Sequence, residues 1–167
     1  TNTAYSGGGF RVSAGQLEMD GALVFGNAAT GVIAGAHRTV TEEGFGGGFH
    51  VTDSPFEIRN SRFENNRADG VMAAGGALCI TGSQSYYDQS LSNCLFANNQ
   101  SDNEGGAVSC KLYVSLPMDN CTFAGNHSAA GLGGAVYVNH LSEVSLERCI
   151  VSGNTGYGIY EKEDGES

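Results

Sequence analysis

The stretch Met118 to Val138, MDNCTFAGNHSAAGLGGAVYV, decides the reading of the whole chain. It runs from an apolar residue (Met118) to a small one (Cys121), an aromatic (Phe123) and an asparagine (Asn126). A polar turn follows, then a glycine pair (Gly133, Gly134) and an alternating run with Val136 and Val138 on one parity. The same phrase recurs with the same internal offsets as Met19, Ala22, Val24, Asn27; Ile58, Ser61, Phe63, Asn66; Leu91, Cys94, Phe96, Asn99; and Leu146, Cys149, Val151, Asn154. Glycine pairs run alongside as Gly8/Gly9, Gly47/Gly48, Gly75/Gly76 and Gly105/Gly106. Self-similarity at a period of about 30 residues marks a stacked repeat, in which each unit buries its apolar face against its neighbours.

Alternating strands that repeat at this period predict an all-β fold, a right-handed parallel β-helix of about five to six coils. Successive coils pair parallel at about 4.8 Å, so equivalent residues form columns along the axis. Phe63, Phe96 and Phe123, flanked by Val24 and Val151, make an aromatic column inside the barrel. Ala22, Ser61, Cys94, Cys121 and Cys149 are small because they stand beside those rings. Asn27, Asn66, Asn99, Asn126 and Asn154 fall in the following turn, where asparagine tolerates left-handed backbone and can build a stacked amide ladder. The right hand follows from parallel crossovers, about 98 % of which are right-handed.

Composition supports one domain over residues 1–167, expected to be a segment of a longer surface protein because the chain opens in mid-repeat. Glycine is 26 of 167 residues and proline only 2, which suits tight turns and unbroken ladders. A net charge of −10 with only 8 Lys and Arg argues against nucleic acid as a partner. No window approaches the ~18 apolar residues of a membrane span.

Two connections exceed their counterparts. Residues 28–46 separate Asn27 from Gly47 and carry Val32, Ile33, His37, Arg38, Glu42 and Glu43; residues 82–90 carry Tyr86 and Tyr87. Insertions in a solenoid leave the stack as loops, often on its binding face. Both readings stand at this point: binding loops, or chain folded back over the flank of the coils, with the tyrosines as half-buried aromatics.

Cys94, Cys121 and Cys149 stand one coil apart, within disulfide reach, or serve as buried apolar members of their column. Cys79 points outward by parity, which makes it the better candidate for bridging to another chain, and Lys111, Asn139 and His140 fall outside or at corners. No His/Cys cluster has zinc spacing, no motif names a cofactor or another metal, and the seven aspartates hold no common repeat position, so no catalytic residue is assigned. Asn99, Asn120 and Asn126 head glycosylation sequons, two of them on ladder asparagines.

FENN (63–66), FANN (96–99) and FAGN (123–126), interleaved with GGAL (75–78), GGAV (105–108) and GGAV (133–136), resemble the paired FxxN and GGA[ILV] motifs of the chlamydial polymorphic outer membrane protein repeat. The resemblance covers about residues 60–140. Residues 1–50 depart from it, with GGF in place of GGA. It implies the passenger of an autotransporter, displayed at the cell surface or outer membrane or secreted, and acting as a non-enzymatic adhesin toward a protein or glycan on a host or neighbouring cell. A structural segment that self-associates end to end is the alternative, and a β-helical polysaccharide lyase or hydrolase a further one.

Overall fold

Each repeat folds into one coil of short parallel strands, because three- to five-residue runs with alternating inward apolar positions are broken by residues that accept left-handed backbone. The computed structural model describes residues 2–31, 44–83, 87–139 and 141–162. After β1 (Thr3–Ala4), the first coil comprises β2 (Phe10–Ser13), β3 (Leu17–Asp20), β4 (Leu23–Phe25) and β5 (Ala28–Ala29). The second holds β6 (Phe49–Thr52), β7 (Phe56–Arg59), β8 (Arg62–Glu64) and β9 (Arg67–Ala68). The third holds β10 (Leu78–Thr81), β11 (Gln89–Ser92), β12 (Leu95–Ala97) and β13 (Gln100–Ser101), and the fourth β14 (Val108–Lys111), β15 (Ser115–Asp119), β16 (Thr122–Ala124) and β17 (His127–Ser128). β18 (Val136–Val138), β19 (Glu143–Glu147) and β20 (Ile150–Ser152) make the fifth, and β21 (Ile159–Glu161) begins another turn. Equivalent strands stack into a six-stranded sheet, β2-β6-β10-β14-β18-β21, and three five-stranded sheets built on β3, β4 and β5.

The predicted columns are present. Phe63, Phe96 and Phe123 pair in register and are fully buried, with ring centroids 4.8 and 4.9 Å apart and planes 9° and 6° from parallel. The asparagine ladder is continuous and begins one coil earlier than the repeat phrase indicates, at Asn2. The backbone N–H and Nδ2 of Asn2, Asn27, Asn66, Asn99 and Asn126 each donate to Oδ1 of the next member, ending at Asn154. Nδ2 also donates across coils to a carbonyl of the aromatic column, as Asn99 does to Phe63 at 2.8 Å and Asn126 to Phe96 at 2.9 Å. Each amide thus satisfies buried backbone that the turn leaves unpaired.

The left-handed residue is the one before each ladder asparagine, contrary to expectation: Gly26, Asn65, Asn98, Gly125 and Gly153 have φ between 54° and 65°. The ladder residue needs extended backbone to aim its amide along the axis. The glycine register also shifts. Pairing of Phe10 and Phe49 with Leu78 aligns Gly7/Gly8 and Gly46/Gly47 with Gly75/Gly76, so the first two copies read GGGF against GGAL. At Gly105 φ is +61°, and a Cβ on Gly106 would lie 2.2 Å from the Gly134 carbonyl oxygen, so both positions require glycine.

The small column does more than leave room for rings. Ser61 Oγ donates to the Arg59 carbonyl at 2.7 Å and accepts the Ala22 N–H at 3.1 Å, and Cys149 Sγ accepts the Cys121 N–H at 3.4 Å. Outside it runs a second ladder that the repeat phrase did not reveal, in which Asn120 donates to Asn93, Asn93 to Asn60 and Asn60 to Asp20.

Candidate functional site

The topology selects one face. Residues 28–29 belong to β5, Phe45 bridges to Ser6 and Ala74, and Gln89 and Ser90 belong to β11, so both insertions are shorter than the sequence suggested. The first lies between β5 and β6, the second between β10 and β11. In a parallel sheet all strands start along one edge. The described end of the first insertion, Gly44, therefore lies on the starting-edge side of β6, with Phe45 and the Gly46–Gly48 corner between them, and that of the second, Ser83, lies past the opposite edge, after β10. β6 and β10 are hydrogen-bonded neighbours, and four residues span only about 13 Å.

Between those edges the outward residues of β6 and β10 form a hydroxyl–imidazole cluster. His50 Nδ1 shares a hydrogen bond of 2.6 Å with Ser6 Oγ, while Nε2 meets the hydroxyls of Thr52 and Thr81, each at 3.2 Å. Thr52 and Thr81 bond each other at 3.1 Å. Phe45 packs edge-on against the ring at 5.4 Å and carries the Lys111 ammonium 5.0 Å above its own ring. Lys111 in turn pairs with Glu104, both side chains well shielded from solvent. Burial, with the cations of Arg11 and Lys111, pulls the His50 pKa down to about 4, so the imidazole is neutral at physiological pH.

Parity placed Cys79 correctly on this outer side but not its exposure. Cys79 is fully buried, next to Ser109 in register and close to Lys111 and Glu104, and burial pushes its thiol pKa up to about 12. The corner residues Phe45 and Glu104 fold over the first outward column, so outward does not mean solvated there. This also removes Cys79 as a link to another chain. Lys111, expected outside, is covered by the same corner, and Tyr137, farther along the column, is 1 % exposed and hydrogen-bonded to Glu104. Asn139 is half-buried at a turn.

Of the sequence-derived binding residues, Tyr87 is half-buried at the foot of the second insertion. Val32, Ile33, His37, Arg38, Glu42, Glu43, Tyr86 and His140 lie outside the described residues. Ser6, His50, Thr52 and Thr81 carried no motif; outward parity on two neighbouring strands was their only signal. The ladder residues are structural, and the sequons on Asn99 and Asn126 are fully buried, whereas Asn120 is exposed. All five cysteines are free thiols, and among the described residues no group of three or more His, Cys, Asp or Glu could hold a metal ion. Among the described residues no helix is long and apolar enough to cross a membrane.

In-register parallel sheets stacked around apolar columns define a right-handed β-helical solenoid. Residues 46–166 match the family described as Right handed beta helix region, and the chain belongs to that family. No curated protein and no solved structure matches it.

Proposed function

We propose that the chain is the recognition segment of a surface-displayed or secreted protein, an adhesin-like passenger of the kind its FxxN and GGA[ILV] motifs resemble. It holds a protein or glycan of a host or neighbouring cell against the outer face of the six-stranded sheet. One observation supports this reading: the described ends of the two insertions, Gly44 ahead of β6 and Ser83 after β10, lie on opposite sides of two hydrogen-bonded neighbouring strands. A rigid scaffold that presents loops of otherwise uniform coils is the usual arrangement for binding.

A non-enzymatic role agrees with the chemistry of that surface. Ser6 and His50 meet as a nucleophile and base would, but the second ring nitrogen is taken by two threonine hydroxyls, where an orienting carboxylate would have to bind. The Glu104 carboxylate is paired with Lys111. Binding of the chain to host cells and to a glycan array, compared with a variant whose residues 32–43 are replaced by a short turn, tests the proposal. Binding that vanishes with the insertion, while circular dichroism stays β-rich, supports it; turnover of a polysaccharide, lost on Ser6→Ala, would replace it with the hydrolase reading.

A second reading, end-to-end assembly, is favoured by the end coils as described, where the inward-column residues Phe10, Val151 and Ile159 are 48 %, 37 % and 43 % exposed. Concentration-dependent sedimentation of the intact chain, without cell or glycan binding, would favour it.

A further inference from the structure

We propose that Cys94, Cys121 and Cys149 form a redox-active thiol column, which accepts one disulfide from a low-molecular-weight disulfide and can hold it at either of two neighbouring positions. Register brings the three together. Cys94 and Cys121 lie between the aligned pairs Ser92↔Asp119 and Leu95↔Thr122, and Cys121 and Cys149 between Asp119↔Glu147 and Thr122↔Ile150. Coil spacing of about 4.8 Å falls inside the Cα separation that a disulfide accepts. Neighbouring members already touch across the coils: the Cys121 N–H donates to Cys149 Sγ at 3.4 Å, and the Cys149 thiol donates to the Met118 carbonyl at 3.4 Å.

The other two cysteines sit differently. Cys110, on β14 of the six-stranded sheet and in register with Ile80, faces the core from another wall of the coil, whereas Cys79 pairs with Ser109 on the outer side, so the sheet separates their sulfurs. Within the column accessibility is graded: Cys94 and Cys121 are 3 % and 1 % exposed, and Cys149 is half-buried.

That gradient orders the chemistry. The Cys149 thiolate attacks one sulfur of oxidised glutathione, its S–S bond breaks, and one glutathione thiolate departs. The Cys121 thiolate then attacks Cys149 Sγ and expels the second glutathione. Two protein thiols have become one disulfide, two glutathiones are reduced, and the two thiol protons pass to solvent. Attack of Cys94 on Cys121 Sγ releases the Cys149 thiolate and moves the bond one coil along without net oxidation. Exchange runs through a thiolate displacing a thiolate, and three sulfurs in one axial column supply that alignment.

The test incubates the intact chain with oxidised glutathione, alkylates the remaining thiols and maps peptides by mass. Expected are a net loss of two hydrogens, no retained glutathione, and bridges Cys121–Cys149 and Cys94–Cys121, with Cys79 and Cys110 alkylated only after unfolding. In Cys121→Ser, glutathione should stay on Cys149, because the remaining thiols are two coils apart. Ser61 occupies the same column position, so serine fits there. Glutathione retained on Cys149 of the unaltered chain, or a bridge through Cys79 or Cys110, overturns the proposal, as does an internal bridge in Cys121→Ser. If that variant does not fold, the map of the unaltered chain decides alone.

Discussion

Asn99 illustrates how one side chain holds three coils together. Its Oδ1 accepts from Asn66 in the coil before, its Nδ2 donates to Asn126 Oδ1 and to the Phe63 carbonyl, and it is fully buried. Asn99→Asp replaces that donor by a carboxylate oxygen facing two acceptors, and a cost of about 3 kcal/mol or more in urea unfolding is expected, since a buried group is left unsatisfied. Phe96→Ala removes the middle ring of the stack, where coils on both sides resist collapse; the expected loss is about 3 to 5 kcal/mol by the same measurement. His50 adds a pH dependence. Its folded pKa of about 4 lies below the ordinary 6.5, so the unfolded chain binds the proton that the folded one refuses. The stability this contributes is fully present above about pH 6.5 and disappears as pH falls toward 4, by up to about 3 kcal/mol. Urea midpoints at pH 7 and 4.5 should separate less in His50→Gln than in the unaltered chain; equal separations would count against a neutral, buried ring beside Arg11, Lys111 and Glu104.

At the scale of the element, the strands were legible wherever composition varies along the repeat. Aromatic, small and asparagine positions differ in kind, so their spacing locates β8, β12 and β16 without ambiguity. The corner before the six-stranded sheet was harder. Three consecutive glycines at Gly7–Gly9 and Gly46–Gly48 offer no internal mark, and only pairing of Phe10 and Phe49 with Leu78 shows which two sit at the tight approach. Gly106→Ala tests the corner: the added methyl would meet the Gly134 carbonyl at 2.2 Å, and unfolding should fall by several kcal/mol, about as much as a core truncation. A change below about 1 kcal/mol would mean that the coils can separate there at little cost. β15 records another local conflict. Pro117 lies inside it, and its pairing with β11 is confined to Met118 and Asp119, whereas pairing with β19 covers all five residues. A residue without an N–H shortens the ladder on one side only.

For the whole molecule, stability resides in the stacked coils, and recognition is what we propose for the insertions. The apolar columns run through all five coils, while the described ends of the insertions, Gly31 and Gly44, Ser83 and Tyr87, lie outside the strands that build those columns. Replacing residues 32–43 by a short turn should therefore leave the urea midpoint within about 0.5 kcal/mol of the unaltered chain, as distant, independent parts add without coupling; a large loss would show that the insertion covers the flank of the first coils instead.

The sequence by itself determined the repeat, the identity of each column and the parallel stacking, because those depend on residue type at a fixed spacing. Only the tertiary structure decided which outward residues are covered. His50, Thr52, Cys79, Thr81 and Lys111 lie on the outward side by parity, yet a corner supplied by residues from other coils folds over the innermost of them. Parity along a strand reports the side of its own sheet. What lies against that side depends on chain one or two coils away, and no local pattern encodes it.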